Sequence, residues 1–173
     1  MLDRIRYNAN MFRKIIHFPN PILKKKAKAV KRITPEIIRL ISDLLQTMRV
    51  APGVGLASPQ VGISLRVIVA DVGDGPVVLV NPKIVSKSGK QTFTEGCLSL
   101  PGLEAPVCRA KKIVAAGLDK CGEKIQVKAE GLLATVIQHE IDHLDGKVFI
   151  DRVEDPSTIK HMSIDDEKKE ELI

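Results

Sequence analysis

Apolar residues in the stretch 131–144, Gly-Leu-Leu-Ala-Thr-Val-Ile-Gln-His-Glu-Ile-Asp-His-Leu, return at helical intervals. Leu132, Leu133, Val136, Ile137, Ile141 and Leu144 form a stripe wide enough to predict a helix buried in the core, with Gly146 as its stop. An earlier stretch keeps the same rhythm. Ile37, Leu40, Ile41, Leu44, Leu45 and Met48 mark a helix to about Arg49. Thr34-Pro35-Glu36 supplies its N-cap and a proline in the first turn, and Ala51-Pro52-Gly53 breaks it. Between the two helices the pattern changes to short β-rich runs. Strands are expected at 65–71 and 77–80 around the turn Gly73-Asp74-Gly75-Pro76. Two more, at 112–118 and 124–129, are joined by a hairpin turn at Asp119-Lys120-Cys121-Gly122. Asn20-Pro21 signals a turn, and residues 22–33 read as basic and irregular. Helix, strands, then buried helix predicts an α+β fold, with mainly antiparallel sheets packed around the second helix.

Composition narrows the class. A chain of 173 residues, 44% hydrophobic and 28% charged, suits one soluble domain with a proper core. Aromatics make up 3% with no Trp, so that core rests on Ile, Leu, Val and Ala. No apolar run is long enough to span a bilayer, and residues 1–20 lack the apolar block of a secretory signal, so no membrane association is expected. Three cysteines, an odd number, argue against a disulfide framework and for a reducing compartment. The net charge of +6 is uneven: residues 1–32 hold ten Lys or Arg and one acid, whereas 151–173 hold eight acids and four bases. Lys24, Lys25, Lys26 and Lys28 are read as a solvated surface run. No aromatics interleave with them as a single-strand binder needs, so sequence-specific nucleic-acid binding is not expected.

The buried helix carries the chemistry. His139 and His143 are four apart, which on a helix puts both imidazoles on one face, one turn apart, where they can grip a single metal ion. Glu140 beside them is placed to take a proton from water at the metal. A catalytic site needs a third protein ligand and an open position. Cys97, within Glu95-Gly96-Cys97-Leu98-Ser99 between loop signals, is the candidate thiolate, its plainer reading being a small buried residue. Cys108 and Cys121 are given that plainer reading. Residues 53–60, Gly-Val-Gly-Leu-Ala-Ser-Pro-Gln, have alternating glycines that admit a close backbone. They do not match Gly-x-Gly-x-x-Gly, so nucleotide binding is rejected.

Together, the segments 53–60, 95–99 and 138–143 closely resemble the signature motifs of the peptide deformylase family, Gly-x-Gly-Leu-Ala-Ala-x-Gln, Glu-Gly-Cys-Leu-Ser and Gln-His-Glu-x-Asp-His, in the same order. The resemblance runs from about Lys14 to about Asp151. Ser58 departs from the common second alanine, and both residues are small. The resemblance implies that Cys97, His139 and His143 bind one divalent metal ion with water at the fourth position. It names Fe²⁺ as the ion in the cell, with Zn²⁺, Ni²⁺ or Co²⁺ able to replace it. Glu140 is implied as general base and then acid. The backbone N–H of Leu98 and the amide of Gln60 are implied as oxyanion donors, Gly55 as a backbone partner of the substrate, and Glu95 as the residue that orients the cysteine loop. The substrate implied is N-formyl-methionine at the start of a nascent polypeptide, hydrolysed to formate and a free amine. That places the protein in a bacterial cytoplasm before an organelle and leaves room for a transient ribosome contact. Val54, Leu132 and Val136 are candidates for the methionine pocket, each more safely read as core. The division expected is an extension at 1–10, a catalytic domain at 11–155 and a polar tail at 156–173. Two other readings compete. One is a zinc metallopeptidase taking its third ligand from Glu154 or His161. The other is a closed structural zinc site in a module that docks RNA.

Overall fold

The structure, a computed structural model, describes residues 12–162. The expected extension at 1–10 and residues 163–173 of the expected tail lie outside the described residues. The elements are α1 (Pro35–Val50), β1 (Gly55–Ala57), β2 (Val67–Ala70), β3 (Val77–Ser88), β4 (Gln91–Cys97), β5 (Leu100–Arg109), β6 (Lys112–Leu118), β7 (Lys124–Glu130), α2 (Gly131–Leu144) and β8 (Lys160–His161), with short 3-10 turns between them. The fold is α+β, and every pairing between these strands is antiparallel.

A five-stranded sheet, in the order β1-β2-β3-β6-β7, has a helix on each face. In β2, Val67 and Val69 join Leu40, Leu44 and Met48 of α1, while Ile68 and Ala70 join Ile137, Ile141 and Leu144 of α2. Successive strand residues point to opposite faces, and here both faces are covered, which is why β2 carries no polar residue. α1 matches its expected stripe, and α2 matches from Val136 onward, with Leu132 of the expected stripe exposed. Thr34 takes the N-cap position of α1, but its side chain bonds none of the helix amides. Gly146 stops α2 at φ 72°, and a Cβ there would lie 2.7 Å from the Lys24 carbonyl oxygen. Only glycine lets the 22–33 segment pass so close. That segment lacks regular structure beyond the turn Pro21–Lys24, yet it buries Leu23, Ala27 and Val30.

β3 runs to Ser88, well past the expected end at Val80. Register shifts interrupt it after Val80 and after Ile84, which hid its continuity. At the first shift Asn81 adopts φ 53°. Its side chain accepts from Val30 N and donates to Val30 O, each at 2.8 Å, and so replaces the ladder with a side-chain pair.

The second sheet, β4-β5-β8, was not expected. Pro101, Gly102 and Pro106 make its central strand read as loop. β8 covers only Leu103 and Glu104, so Pro106 falls where β5 has no partner on that side among the described residues, a place that tolerates a missing donor. Part of the expected polar tail is therefore sheet. Cys97 closes β4 and is half-buried, not a loop residue, while Cys108 and Cys121 are exposed rather than buried. The chain start straps the two motif loops together. Ile16 N donates to Gln60 O at 2.7 Å, and Phe18 N donates to Ser99 O at 2.8 Å.

Candidate metal centre

α2 turns His139 and Glu140 toward a cleft of about 550 Å³ between β1 and β4, with His143 buried one turn further on. β4 ends at Cys97, and the register shift between Gly96 and Cys97 brings its sulfur over the helix. Cys97 Sγ lies 3.3 Å from His143 Nε2. One ligand atom from each of Cys97, His139 and His143 falls within 4.8 Å of the others. Ligands at roughly 2.3 Å (sulfur) and 2.0 Å (nitrogen) on one tetrahedral ion would stand about 3.5 Å apart, so the donor set fits a single ion. Among the described residues this group has no fourth member, as an open site requires and a closed structural zinc does not. Glu154 and His161, the ligands a conventional metallopeptidase would draw on, are outside it.

The neighbouring groups orient these ligands. His139 Nδ1 stands 2.8 Å from Glu95 Oε2, and since a carboxylate can only accept, Nδ1 is the donor and Nε2 is left for the ion. Glu95 in turn takes a fork from Arg109, Nε to Oε1 at 2.5 Å and Nη2 to Oε2 at 2.9 Å. Arg109 Nη1 donates to Asp142 Oδ2 at 2.9 Å, and Asp142 also receives Arg152. Burial works against the charge on Glu95 and Asp142, but these hydrogen bonds outweigh it and hold both carboxyls below their usual range. Arg109 had no place in the sequence reading. One signal was available: Leu103, Ala105, Val107 and Arg109 alternate along β5, which puts the arginine on the inward face with them.

Electrostatics separate the helix groups. Burial opposes charge on His139, yet the hydrogen bonds with Cys97 and Glu95 and the charge of Glu140 prevail and raise it to about 10, so an ion taken up at Nε2 must displace a proton. Burial, then the charge of His139, holds His143 well below the usual imidazole range. Its Nδ1 is buried and unpartnered. Burial lifts Glu140 to about 7 against the opposing charges of His139 and Arg109, and Glu140 Oε2 has no partner. A carboxyl poised near neutrality can both accept and return a proton.

The remaining expected residues gather here too. Gln60 is buried; its Oε1 accepts from Ala57 N at 2.8 Å, which turns Nε2 toward Ser99 Oγ at 3.2 Å and Cys97 Sγ at 3.6 Å. Leu98 lines the cleft next to Cys97. At Gly55 a Cβ would strike the Glu140 carboxylate and Val136 Cγ1, so glycine is what lets β1 lie against Glu140. Ser58 is buried, and its hydroxyl donates to Leu65 O. Val54 and Leu132 are not core: they are 44% and 45% exposed and line the cleft, as does buried Val136. A larger groove of about 920 Å³ behind α2 is lined by Lys83, Lys87, Lys90 and Arg152. It holds no metal-ligand group among the described residues.

β1 and β4 are each the last strand of their sheet, so two unpaired edges face one another across the cleft. Three metal-ligand side chains with no fourth among the described residues, beside a buried carboxylate in a cleft between two strand edges, have the make-up of a metal-dependent hydrolase. Comparison with known proteins says which kind. Residues 12–158 match the family model described as polypeptide deformylase. A peptide deformylase of Carboxydothermus hydrogenoformans is 50% identical over 141 residues, covering 82% of this chain and 93% of its own. One from Dehalococcoides mccartyi is 44% identical over 162 residues, covering 92% and 97%. The crystal structure of a peptide deformylase from Legionella pneumophila superposes with a TM-score of 0.81 at 45% identity, covering 85% of this chain and 88% of that one. That of Synechococcus elongatus in complex with actinonin gives 0.81 at 42%, covering 84% and 80%. The chain belongs to the polypeptide deformylase family. Metal-dependent removal of the formyl group from N-formyl-methionine at the start of nascent polypeptides is the activity of that family, and this chain is an enzyme of that kind.

Proposed function

We propose that Cys97, His139 and His143 hold one divalent ion and that Glu140, Gln60, Leu98 and Gly55 carry out deformylation around it. The observation that carries this reading is the placing of three ligand atoms within 4.8 Å of one another, beside an unpartnered buried carboxylate, in a cleft between two free strand edges. An ion bound there supplies Lewis acidity toward a water and the formyl carbonyl. Glu140 takes the proton of the attacking water and passes it to the departing amine nitrogen, which releases formate and the free N-terminus. The Gln60 amide and the Leu98 N–H donate to the oxygen that becomes negative during attack, each such donor being worth roughly 10²–10³ in rate. The Gly55 backbone pairs with the extended peptide, and the methionine side chain enters among Val54, Leu132 and Val136.

Fe²⁺ is the ion assigned in the cell. One thiolate and two imidazoles also suit zinc or cobalt, so metal analysis of protein purified without air is the direct check. The cytoplasm is the compartment, since it supplies both the substrate and the reducing conditions that keep Cys97 a thiolate. A transient ribosome contact falls to the exposed Lys25, Lys26 and Lys28, and salt-sensitive co-sedimentation with ribosomes tests it. The test of the function itself is formate release from a formyl-methionyl peptide, run beside amino-acid release from its unformylated twin. Formate from the first and nothing from the second is the result expected; the reverse would make the protein an aminopeptidase.

A further inference from the structure

The cleft wall contains one residue from outside the motif segments and outside the stretch 12–158 that matches the family model: Met162. It arrives there through the C-terminal strand. β8 pairs with β5 in the register Leu103↔His161 and Glu104↔Lys160, and the next residue, Met162, donates its backbone N–H to Gly102 O at 2.9 Å. Gly102 has φ 73° and no side chain, and a Cβ there would sit 4.0 Å from the Met162 carbonyl oxygen. Met162 is half-buried and lines the cleft together with Leu98, Leu100 and Leu103 of the β4–β5 hairpin.

A peptide lying extended between β1 and β4 presents alternate side chains to opposite sides. The methionine is accounted for by the side that α2 builds, where Leu132, Thr135 and Val136 line the cleft. The next residue's side chain turns the other way, away from α2. The apolar residues lining the cleft that do not come from α2 include Leu98, Leu103 and Met162. We propose that Met162, delivered by β8, is a specificity-determining residue that favours an apolar side chain directly after the formyl-methionine. This rests on the deformylase reading. A methionine suits the task because its unbranched, polarizable side chain adapts to several apolar partners without selecting one shape. Such a partly exposed contact buries about one or two methylene groups' worth of surface, so the preference it creates is roughly four- to fifteenfold.

The test uses the full-length, metal-loaded enzyme and two formyl-methionyl tripeptides, one with Leu and one with Asp in second position. The measured quantity is the ratio of their kcat/KM values for formate release in wild type, Met162→Leu, Met162→Ala and Met162→Lys. Wild type and Met162→Leu should favour the leucyl peptide, Met162→Ala should lose most of that preference, and Met162→Lys should shift it toward the aspartyl peptide. A gain of preference for Asp is something that loosening of β8 cannot produce, so it separates specificity from support. Equal turnover of both peptides by wild type, or the same ratio in all four proteins, overturns the proposal while leaving the deformylase reading intact. No formate from either peptide with wild type overturns both.

Discussion

Replacing Arg109 by alanine tests how the centre is held together. The Arg109 side chain is 5% exposed, and its partners Glu95 and Asp142 are 5% and 7% exposed. Three hydrogen bonds vanish in the variant. Asp142 keeps its pair with Arg152, but Glu95 keeps only His139. One buried carboxylate is thus stripped of its main counter-charge, a loss that costs about 3–5 kcal/mol. For a protein of this size each kcal/mol lowers Tm by about 2–4 °C, so the fall expected is about 6–20 °C. Arg152→Ala is the internal control. Arg152 is 43% exposed and Asp142 retains Arg109, so the loss should be about 1 kcal/mol, or a few degrees. The pH dependence has a definite sign. The Glu95 carboxyl lies below its usual range when folded, so its stabilisation is complete above the unfolded value and fades as pH falls through the folded one. The gap between wild type and Arg109→Ala should therefore narrow in acid. Calorimetry from pH 7 down to well below the ordinary carboxylate range reads both effects. Metal affinity, measured by competition with a chelator, should fall about 10–100-fold, because Glu95 orients His139. An Arg109→Ala protein that melts within 2 °C of wild type and binds metal as tightly would refute the reasoning.

Cys97→Ala and His143→Ala should each lose bound metal by elemental analysis, and full retention in both would remove them as ligands. Glu140→Ala should keep its metal and lose roughly 10²–10⁴ in kcat; turnover within about threefold of wild type would contradict a proton-transfer role. Gly55→Ala should also keep its metal and lose activity by a similar factor, because its Cβ displaces the Glu140 carboxylate and pushes on Val136; wild-type kinetics would show that β1 can yield. Deleting residues 1–10 should leave activity and Tm unchanged, since Arg13 and the residues after it already tie the chain to the body, the Arg13 N–H bonding Thr47 and its side chain bonding Asp43; a fall in either would show that the extension packs.

The features legible along the chain were the local ones. α1, β6 and β7 each turn one face inward, and a repeating face writes its period into the sequence; α2 is buried nearly all round and was marked by a wide run of apolar residues at helical spacing. The four-residue spacing of His139 and His143 is local in the same sense, since the helix itself makes them neighbours. Cys97 could be named as a candidate thiolate, but its place over the helix is not in the sequence: it stands 46 positions from His143 and arrives by the end of β4 and a register shift. β4 and β5 stayed hidden because proline and glycine obscure their period and because β5 draws its partners from β4 and from β8, more than fifty positions on. The Arg109 pairs join residues 14 and 33 positions apart, and no local pattern records which buried carboxylates an arginine will meet. Val54 and Leu132 mark the limit most clearly. An apolar residue looks the same in sequence whether it faces a core or a binding cleft. Which of the two it meets depends on how β4 and the C-terminal strand come to lie across from it, and only the tertiary structure decides that.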